Sequence, residues 1–261
     1  MSTNKSISKK QKRPIDIDEV SRVLNEKSDF ETVETYKAIR TSVMFSMPKA
    51  DKGKVIVVTS SAPGEGKTTT SINLAITFAQ MGAKVMLIDC DLRKSRVHRY
   101  LEIERKKGIT DVLCGFCQLD KAIKRNVREN LDVIPAGEIP PNPAELMEAE
   151  EFKNVISTLQ ERYDYIFIDT PPITVVTDAA IAMKYSMGVI VVIRQDVTTY
   201  DMLDAAMENI KTTGVKILGA IVLGTEQKRK KYGYYQNGKY AYKYKYGYNY
   251  EYNYADDDSE A

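Results

Sequence analysis

Apolar residues in this chain gather into short unbroken runs: KVIVVTS at Lys54–Ser60, KVMLID at Lys84–Asp89, YDYIFID at Tyr163–Asp169, GVIVVIR at Gly188–Arg194 and KILGAIVL at Lys216–Leu223. Each has strand length, and none alternates apolar with polar, so each predicts a strand covered on both faces in a mostly parallel sheet. Helical patterns separate them: TTSINLAITFAQM closed by Gly82, a segment around Asp178–Tyr185, and Tyr200–Thr213. Upstream, Val33, Tyr36, Ile39, Val43 and Met44 recur at helical spacing between Asp29 and Met47, and Pro48 and Gly53 end that helix. The pattern weakens between Val97 and Glu150. There GITDVLCGFCQLDKAI reads as a helix pair, LDVIPAG as a strand, and PPNPAELMEAEEFKNVISTLQ as a loop leading into a helix. The alternation predicts an α/β fold, a mostly parallel central sheet flanked by helices.

Three regions follow. Residues 1–27 are polar and aperiodic, contain the basic stretch KSISKKQKR, and predict a flexible arm. Residues 28–224 hold the α/β domain, opened by the helix over 28–47. Residues 225–261 have no aliphatic residue larger than alanine after a basic run at Glu226–Lys231, and predict a disordered tail. Eleven tyrosines crowd that tail: Tyr232, Tyr234, Tyr235, Tyr240, Tyr242, Tyr244, Tyr246, Tyr248, Tyr250, Tyr252 and Tyr254. The other six, Tyr36, Tyr100, Tyr163, Tyr165, Tyr185 and Tyr200, lie in or beside predicted elements and are expected to pack.

Composition narrows the class. The chain is 43% hydrophobic and 28% charged, enough for a packed core, and its net charge of +2 gives no global field for nucleic acid. Its cysteines, Cys90, Cys114 and Cys117, make no secreted disulfide framework. The lone CxxC lacks the four ligands of structural zinc, so packing is expected of it, and Cys90 is expected in the core. No apolar run approaches the ~18–20 residues of a membrane span, which predicts a cytoplasmic protein that meets a membrane only through a partner.

Chemistry enters with SAPGEGKT, which lies between a strand and a helix as a Walker A loop does, with Ser61 where the first glycine usually stands. Ser61, Ala62, Pro63, Gly64, Glu65, Gly66, Lys67, Thr68 and Thr69 are the expected nucleotide-binding residues. Gly64 and Gly66 let backbone N–H groups converge on phosphates at the helix N-terminus. Lys67 is placed to reach the β- and γ-phosphates, and Thr68 to ligate Mg²⁺. In VMLIDCDLR, Asp89 and Asp91 end the next strand two residues apart, so both are expected to face the same phosphates, with Arg93 neutralising charge there. In YIFIDTPP, a hydrophobic strand ends in Asp169, a Walker B arrangement expected to hold Mg²⁺, and Pro171 and Pro172 stop the strand. The metal set is therefore Thr68, Asp89 and Asp169, and the cofactors are ATP and Mg²⁺.

These motifs, in this order and with this tail, resemble the bacterial tyrosine kinases of capsule and exopolysaccharide synthesis, members of the P-loop NTPase class related to Min/Par proteins. The resemblance covers about Glu31 to Gly224 plus the tail. It implies an ATP-dependent protein-tyrosine kinase that autophosphorylates the tail cluster in trans within a homo-oligomeric ring and regulates polysaccharide synthesis and export. It implies Asp91 as the group that accepts the phenol proton, a position its strand end also favours. It implies a separate transmembrane adaptor, a cognate tyrosine phosphatase, other protein tyrosine substrates, and a place at the inner face of the membrane. Its ExxRxxR ring element corresponds to Glu34, Lys37 and Arg40, with lysine replacing the central arginine and losing bidentate pairing. The Min/Par relatives carry a signature lysine where this chain has Ala62, which favours tyrosine transfer over a partitioning ATPase.

The tail itself carries seven Lys/Arg against six Asp/Glu from Glu226 onward. Each phosphate adds about −1.5 to −2, so phosphorylation predicts repulsion and a loosened ring. Two other readings of the tail exist, a single-strand stacking platform and a period-two β-strand. The acidic end opposes the first, and the interspersed charge and glycine oppose the second.

Overall fold

The computed structural model describes residues 21–225 and the backbone of 232–236 and 239–243. By contacts the chain divides into two compact units, Met1–Gly224 and Thr225–Ala261. Elements of the first unit run in the order α1 (Phe30–Ser46), β1 (Lys54–Ser60), α2 (Lys67–Ala79), β2 (Val85–Asp89), α3 (Val97–Tyr100), α4 (Ile109–Leu113), α5 (Leu119–Ala122), β3 (Lys124–Arg128), β4 (Leu131–Ile134), α6 (Pro143–Glu148), α7 (Glu150–Gln160), β5 (Tyr165–Asp169), α8 (Asp178–Met183), β6 (Gly188–Arg194), α9 (Tyr200–Thr213) and β7 (Ile217–Leu223). Seven strands form one sheet in the order β3-β4-β2-β5-β1-β6-β7. All neighbours are parallel except β3, which runs antiparallel to β4.

β1, β2, β5 and β6 behave as expected of strands covered on both sides, whereas β7, at the margin of the sheet, buries only Leu218 and Ile221 and leaves Gly219, Ala220 and Val222 exposed. On β1, Val55 and Val57 join one hydrophobic cluster while Ile56 and Val58 join the other. β5 splits likewise, Ile166 and Ile168 against Tyr165 and Phe167. Helix α2 covers the second face: Phe78 is wholly buried and meets Tyr165 and Phe167 edge-on at 4.6 and 5.1 Å between centroids. Burying one phenylalanine this way contributes roughly 1.5–3 kcal/mol. Two helices also have a side-chain start signal. Asp29 caps α1 by accepting the Thr32 N–H at 2.8 Å, and Thr199 caps α9 by accepting that of Met202 at 3.3 Å.

Four expectations change. The packed body starts before residue 28: Val23 and Leu24 are each 3% exposed, and the Leu24 N–H donates to Asn73 Oδ1 at 2.8 Å. Two apolar residues suffice to pin the segment, too few to show a period. Tyr36, Tyr100 and Tyr165 are buried and Tyr163 and Tyr185 half-buried, but Tyr200 is 88% exposed, because α9 turns Ala206 and Ile210 to the sheet instead. Cys90 is fully buried, whereas Cys114, at the end of α4, is exposed and does not pack. The polar strand β3 had no apolar signal to announce it.

In the second unit, β8 (Tyr232–Gln236) pairs antiparallel with β9 (Lys239–Lys243). Tyr244, Tyr246, Tyr248, Tyr250, Tyr252 and Tyr254, like the arm before residue 21, lie outside the described residues.

Candidate nucleotide and phosphotransfer site

β1, β2 and β5 are neighbours, so the loops after them meet at one end of the sheet. That topology brings the three acidic and glycine-rich motifs together. Gly66 ends the loop at φ +92°, a left-handed conformation that suits glycine, and a Cβ there would stand 2.5 Å from Leu223 Cδ1. The turn delivers Lys67 and Thr68 at the start of α2. Lys67 Nζ lies 2.9 Å from Asp91 Oδ2 and 3.5 Å from Thr68 Oγ1. Thr68 Oγ1 donates to Asp169 Oδ2 at 2.8 Å, and Ser71 Oγ donates to Asp169 Oδ1 at 3.0 Å. Ser71 was not foreseen; its spacing one turn after Lys67 was the available clue.

Three carboxylates therefore crowd one ammonium. Burial pushes Asp89 well above the ordinary carboxylate range, Asp169 and Asp91 add to that, and Lys67 with the Val97 N–H oppose it. Burial likewise raises Asp169, against the pull of Lys67, Thr68 and Ser71. For Lys67, burial alone would lower the pKa, but Asp169, Asp91 and Asp89 outweigh it and hold the amine charged. The excess negative charge, with only oxygen donors present, fits a hard divalent cation. Among the described residues no three carboxylate, histidine or cysteine side chains form a ready cage. Mg²⁺ needs none, since it binds through one or two protein oxygens with phosphates and water completing its shell. Thr68 and Asp169 supply such oxygens.

Several expected residues also make contacts within the chain. Asp89 accepts the backbone N–H of Asp91 and of Val97, each at 3.2 Å, so its carboxylate also shapes the following loop. Arg93 donates Nε and Nη2 to Asp178 at 3.1 and 3.2 Å, and Asp178 is fully buried. The Asp178 hydrogen bond raises Arg93 above its usual pKa. Arg93 borders the cleft with its guanidinium anchored through Nε and Nη2. Glu65 is also fully buried: it accepts Ser61 Oγ at 2.6 Å and the Ala62 N–H at 2.7 Å, and a hydrogen bond from Thr198 as well. Ser61, Ala62 and Glu65 thus brace the loop from behind, while Pro63, Gly64, Gly66, Lys67, Thr68 and Thr69 line the cleft. Of the expected ring residues, Glu34 and Lys37 pair with each other at 2.8 Å on the surface, and Arg40 donates to the Thr77 carbonyl of its own chain at 2.6 Å.

Residues 53–217 match the family described as AAA domain. The chain is 40% identical over 203 residues to the tyrosine-protein kinase YwqD of Bacillus subtilis, covering 77% of this chain and 85% of that one. It belongs to the bacterial tyrosine-protein kinases. This kinase is also 35% identical over 210 residues to the tyrosine-protein kinase wzc of Salmonella typhimurium, where the match takes in 80% of the present chain but only 29% of the longer relative. The solved kinase domain of the Escherichia coli tyrosine kinase ETK superposes with a TM-score of 0.72 at 31% identity, covering 79% of this kinase and 80% of that domain. The nucleotide-binding P-loop architecture and the enzyme class, a protein-tyrosine kinase, are thereby shared. No helix among the described residues is long and apolar enough to cross a membrane.

Proposed function

We propose that this kinase transfers the γ-phosphoryl group of ATP to tyrosines of its own tail, in trans, within a homo-oligomeric ring. The observation that carries the reading is Lys67 Nζ held within 3.5 Å of both Asp91 and Thr68, with Thr68 in turn on Asp169. Thr68, Asp89 and Asp169 would hold Mg²⁺, which when bound supplies neutralising charge. Lys67 and the loop N–H groups stabilise charge on the transferred group, and little covalent chemistry is required of the protein. A phenol with pKa near ~10 is a poor nucleophile at neutral pH. As its oxygen attacks the γ-phosphorus, the bond to the β–γ bridging oxygen breaks, ADP leaves, and Asp91 takes the phenolic proton.

The tail is the natural acceptor, since from Leu223 to Tyr232 an extended chain spans at most roughly 30 Å, enough for a neighbour's site. Glu34, Lys37 and Arg40 are proposed ring contacts; Glu34 and Lys37 are exposed on α1, and their pairing would be exchanged on assembly. The family resemblance supplies the remaining partners: a transmembrane adaptor that activates the kinase at the inner face of the membrane, further protein tyrosine substrates, a phosphatase, and control of capsule or exopolysaccharide synthesis and export.

The test is incubation of the purified chain with its activating partner, labelled ATP and Mg²⁺, followed by phosphosite mapping, beside Lys67→Met and Asp91→Asn. Wild type should label the tail, Lys67→Met should not, and Asp91→Asn should lose transfer while retaining most ATP binding. Release of inorganic phosphate with every tyrosine unlabelled would instead make it a plain ATPase.

A further inference from the structure

Glu65 is a carboxylate with no exposed surface in the middle of the phosphate loop. Gly64 and Gly66 flank it at φ +88° and +92°, left-handed conformations that suit glycine. The chain thereby sends the Glu65 side chain behind the loop, while Pro63, Gly64, Gly66 and Lys67 line the cleft in front. Burying a carboxylate is costly unless donors surround it. Glu65 accepts from three. Ser61 Oγ, at 2.6 Å, and the Ala62 N–H, at 2.7 Å, belong to the loop itself and move with it. The third donor, Thr198 Oγ1, comes from 133 residues away.

Thr198 is in turn fixed to the central sheet. Arg194 ends β6 and pairs with Leu223 of β7. The chain then bends back on itself. The Thr198 N–H donates to the Arg194 carbonyl at 2.9 Å, and Thr198 Oγ1 accepts the Arg194 N–H at 2.9 Å. Asp196 turns this bend at φ +62°. Thr199, the next residue, caps α9, so the two neighbouring threonines have separate duties. Arg194 Nη1 also donates to the Gly64 carbonyl at 3.4 Å. The bend after β6 therefore meets the loop at two consecutive residues, Gly64 and Glu65. The Thr198 hydroxyl joins both parts: it accepts from the bend and donates its own proton to the loop. Valine has nearly the same shape and can do neither.

We propose that Thr198 is a positioning residue for phosphate binding: acting through Glu65, it sets the direction of the loop N–H groups so that they already converge when the nucleotide arrives. Donors aligned in advance need no rearrangement on binding, and that saving appears as affinity. Thr198 itself touches no phosphate. The proposal rests on the phosphate-binding role of the loop and not on the identity of the acceptor, so its failure leaves tail phosphorylation untouched.

The experiment titrates MgADP into the full chain by calorimetry, in wild type, Thr198→Val, Thr198→Ser, Glu65→Ala and the Thr198→Val/Glu65→Ala double variant. Loss of one such hydrogen bond predicts MgADP affinity about three- to tenfold weaker in Thr198→Val. Thr198→Ser keeps the hydroxyl and should stay within about twofold of wild type. In the Glu65→Ala background Thr198→Val should add little, since the two act as one unit. Hydrogen exchange of residues 61–68 in the nucleotide-free chain should be faster in Thr198→Val than in Thr198→Ser. With the activator present, the loss should fall on the KM for MgATP and leave kcat nearly unchanged, because the loop N–H groups hold the phosphates in ground and transition states alike. A merely structural role would lower Tm in Thr198→Val without moving MgADP affinity or loop exchange, and that result overturns the proposal. So does an equal loss of affinity in Thr198→Ser and Thr198→Val, or full additivity in the double variant. If Glu65→Ala does not fold, the comparison of valine with serine decides alone.

Discussion

The pair between Arg93 and Asp178 allows a quantitative test of how the loop after Asp91 is held. Asp178 has no exposed surface, and both its oxygens receive a guanidinium N–H at 3.1 and 3.2 Å. Removing one partner of a fully buried ion pair costs about 3–5 kcal/mol, because the other charge is left unpaired. Here the Arg93 side chain is 42% exposed, so water already reaches the pair. The expected cost of Arg93→Ala falls to about 2 kcal/mol, within the range of hydrogen bonds to charged groups. For a domain of this size that is roughly 4–8 °C in Tm. Asp178→Asn keeps two polar atoms in place and leaves Arg93 free to reach water, and should cost about 1 kcal/mol. The double variant should cost less than the sum of the singles by about 1 kcal/mol, the signature of direct coupling. Urea denaturation of the four proteins measures the cycle. A cost below about 0.5 kcal/mol for Arg93→Ala, or strict additivity, would refute the claim that this pair anchors the loop carrying Asp91.

Two further outcomes follow from local geometry. Gly66→Ala places a Cβ at φ +92° and 2.5 Å from Leu223 Cδ1, so it should cost about 1–2 kcal/mol from the backbone alone and more from the clash. Adding Leu223→Ala should relieve only the clash, as thermal melts and nucleotide titrations would show; full recovery would mean the dihedral carries no strain. Burial, aided by Arg105 and Arg99, lowers the His98 pKa from 6.5 to about 4. The unfolded chain therefore binds the proton more readily, and the stability due to this group is complete above pH 6.5 and is lost as pH falls toward 4. Half-exposure discounts the effect to about 1–2 kcal/mol. His98→Gln should flatten stability over that window, and an unchanged slope would assign the pH dependence to other groups.

The sequence was most readable where one physical signal dominated. Continuous apolar runs announced β1, β2, β5 and β6, because a strand covered on both faces has no polar positions to spare; β7 was announced by the same signal although it lies at the sheet's margin with Gly219, Ala220 and Val222 exposed. Lys67, Thr68, Asp91 and Asp169 were readable because strand ends in a parallel sheet converge. What escaped was set by partners distant in sequence. Nothing in PGEGKT says that Glu65 turns inward to Thr198, and nothing near Arg93 points to Asp178, which lies 85 residues away. Asp89 and Asp91 share the spacing expected of a matched pair. They diverge because β2 ends at Asp89, leaving Asp91 on a loop whose own N–H groups engage Asp89.

The polar strand β3 bears on how copies of this kinase can come together. It forms one margin of the sheet, it is short, its register against β4 is interrupted, and it carries Lys124, Arg125 and Arg128. Cationic, irregular borders of this kind discourage an incoming strand from docking through main-chain bonds. A neighbour, or a tyrosine-laden segment rich in extended conformation, is thereby steered away from stacking endlessly along that flank. Strand addition at that margin is thereby disfavoured.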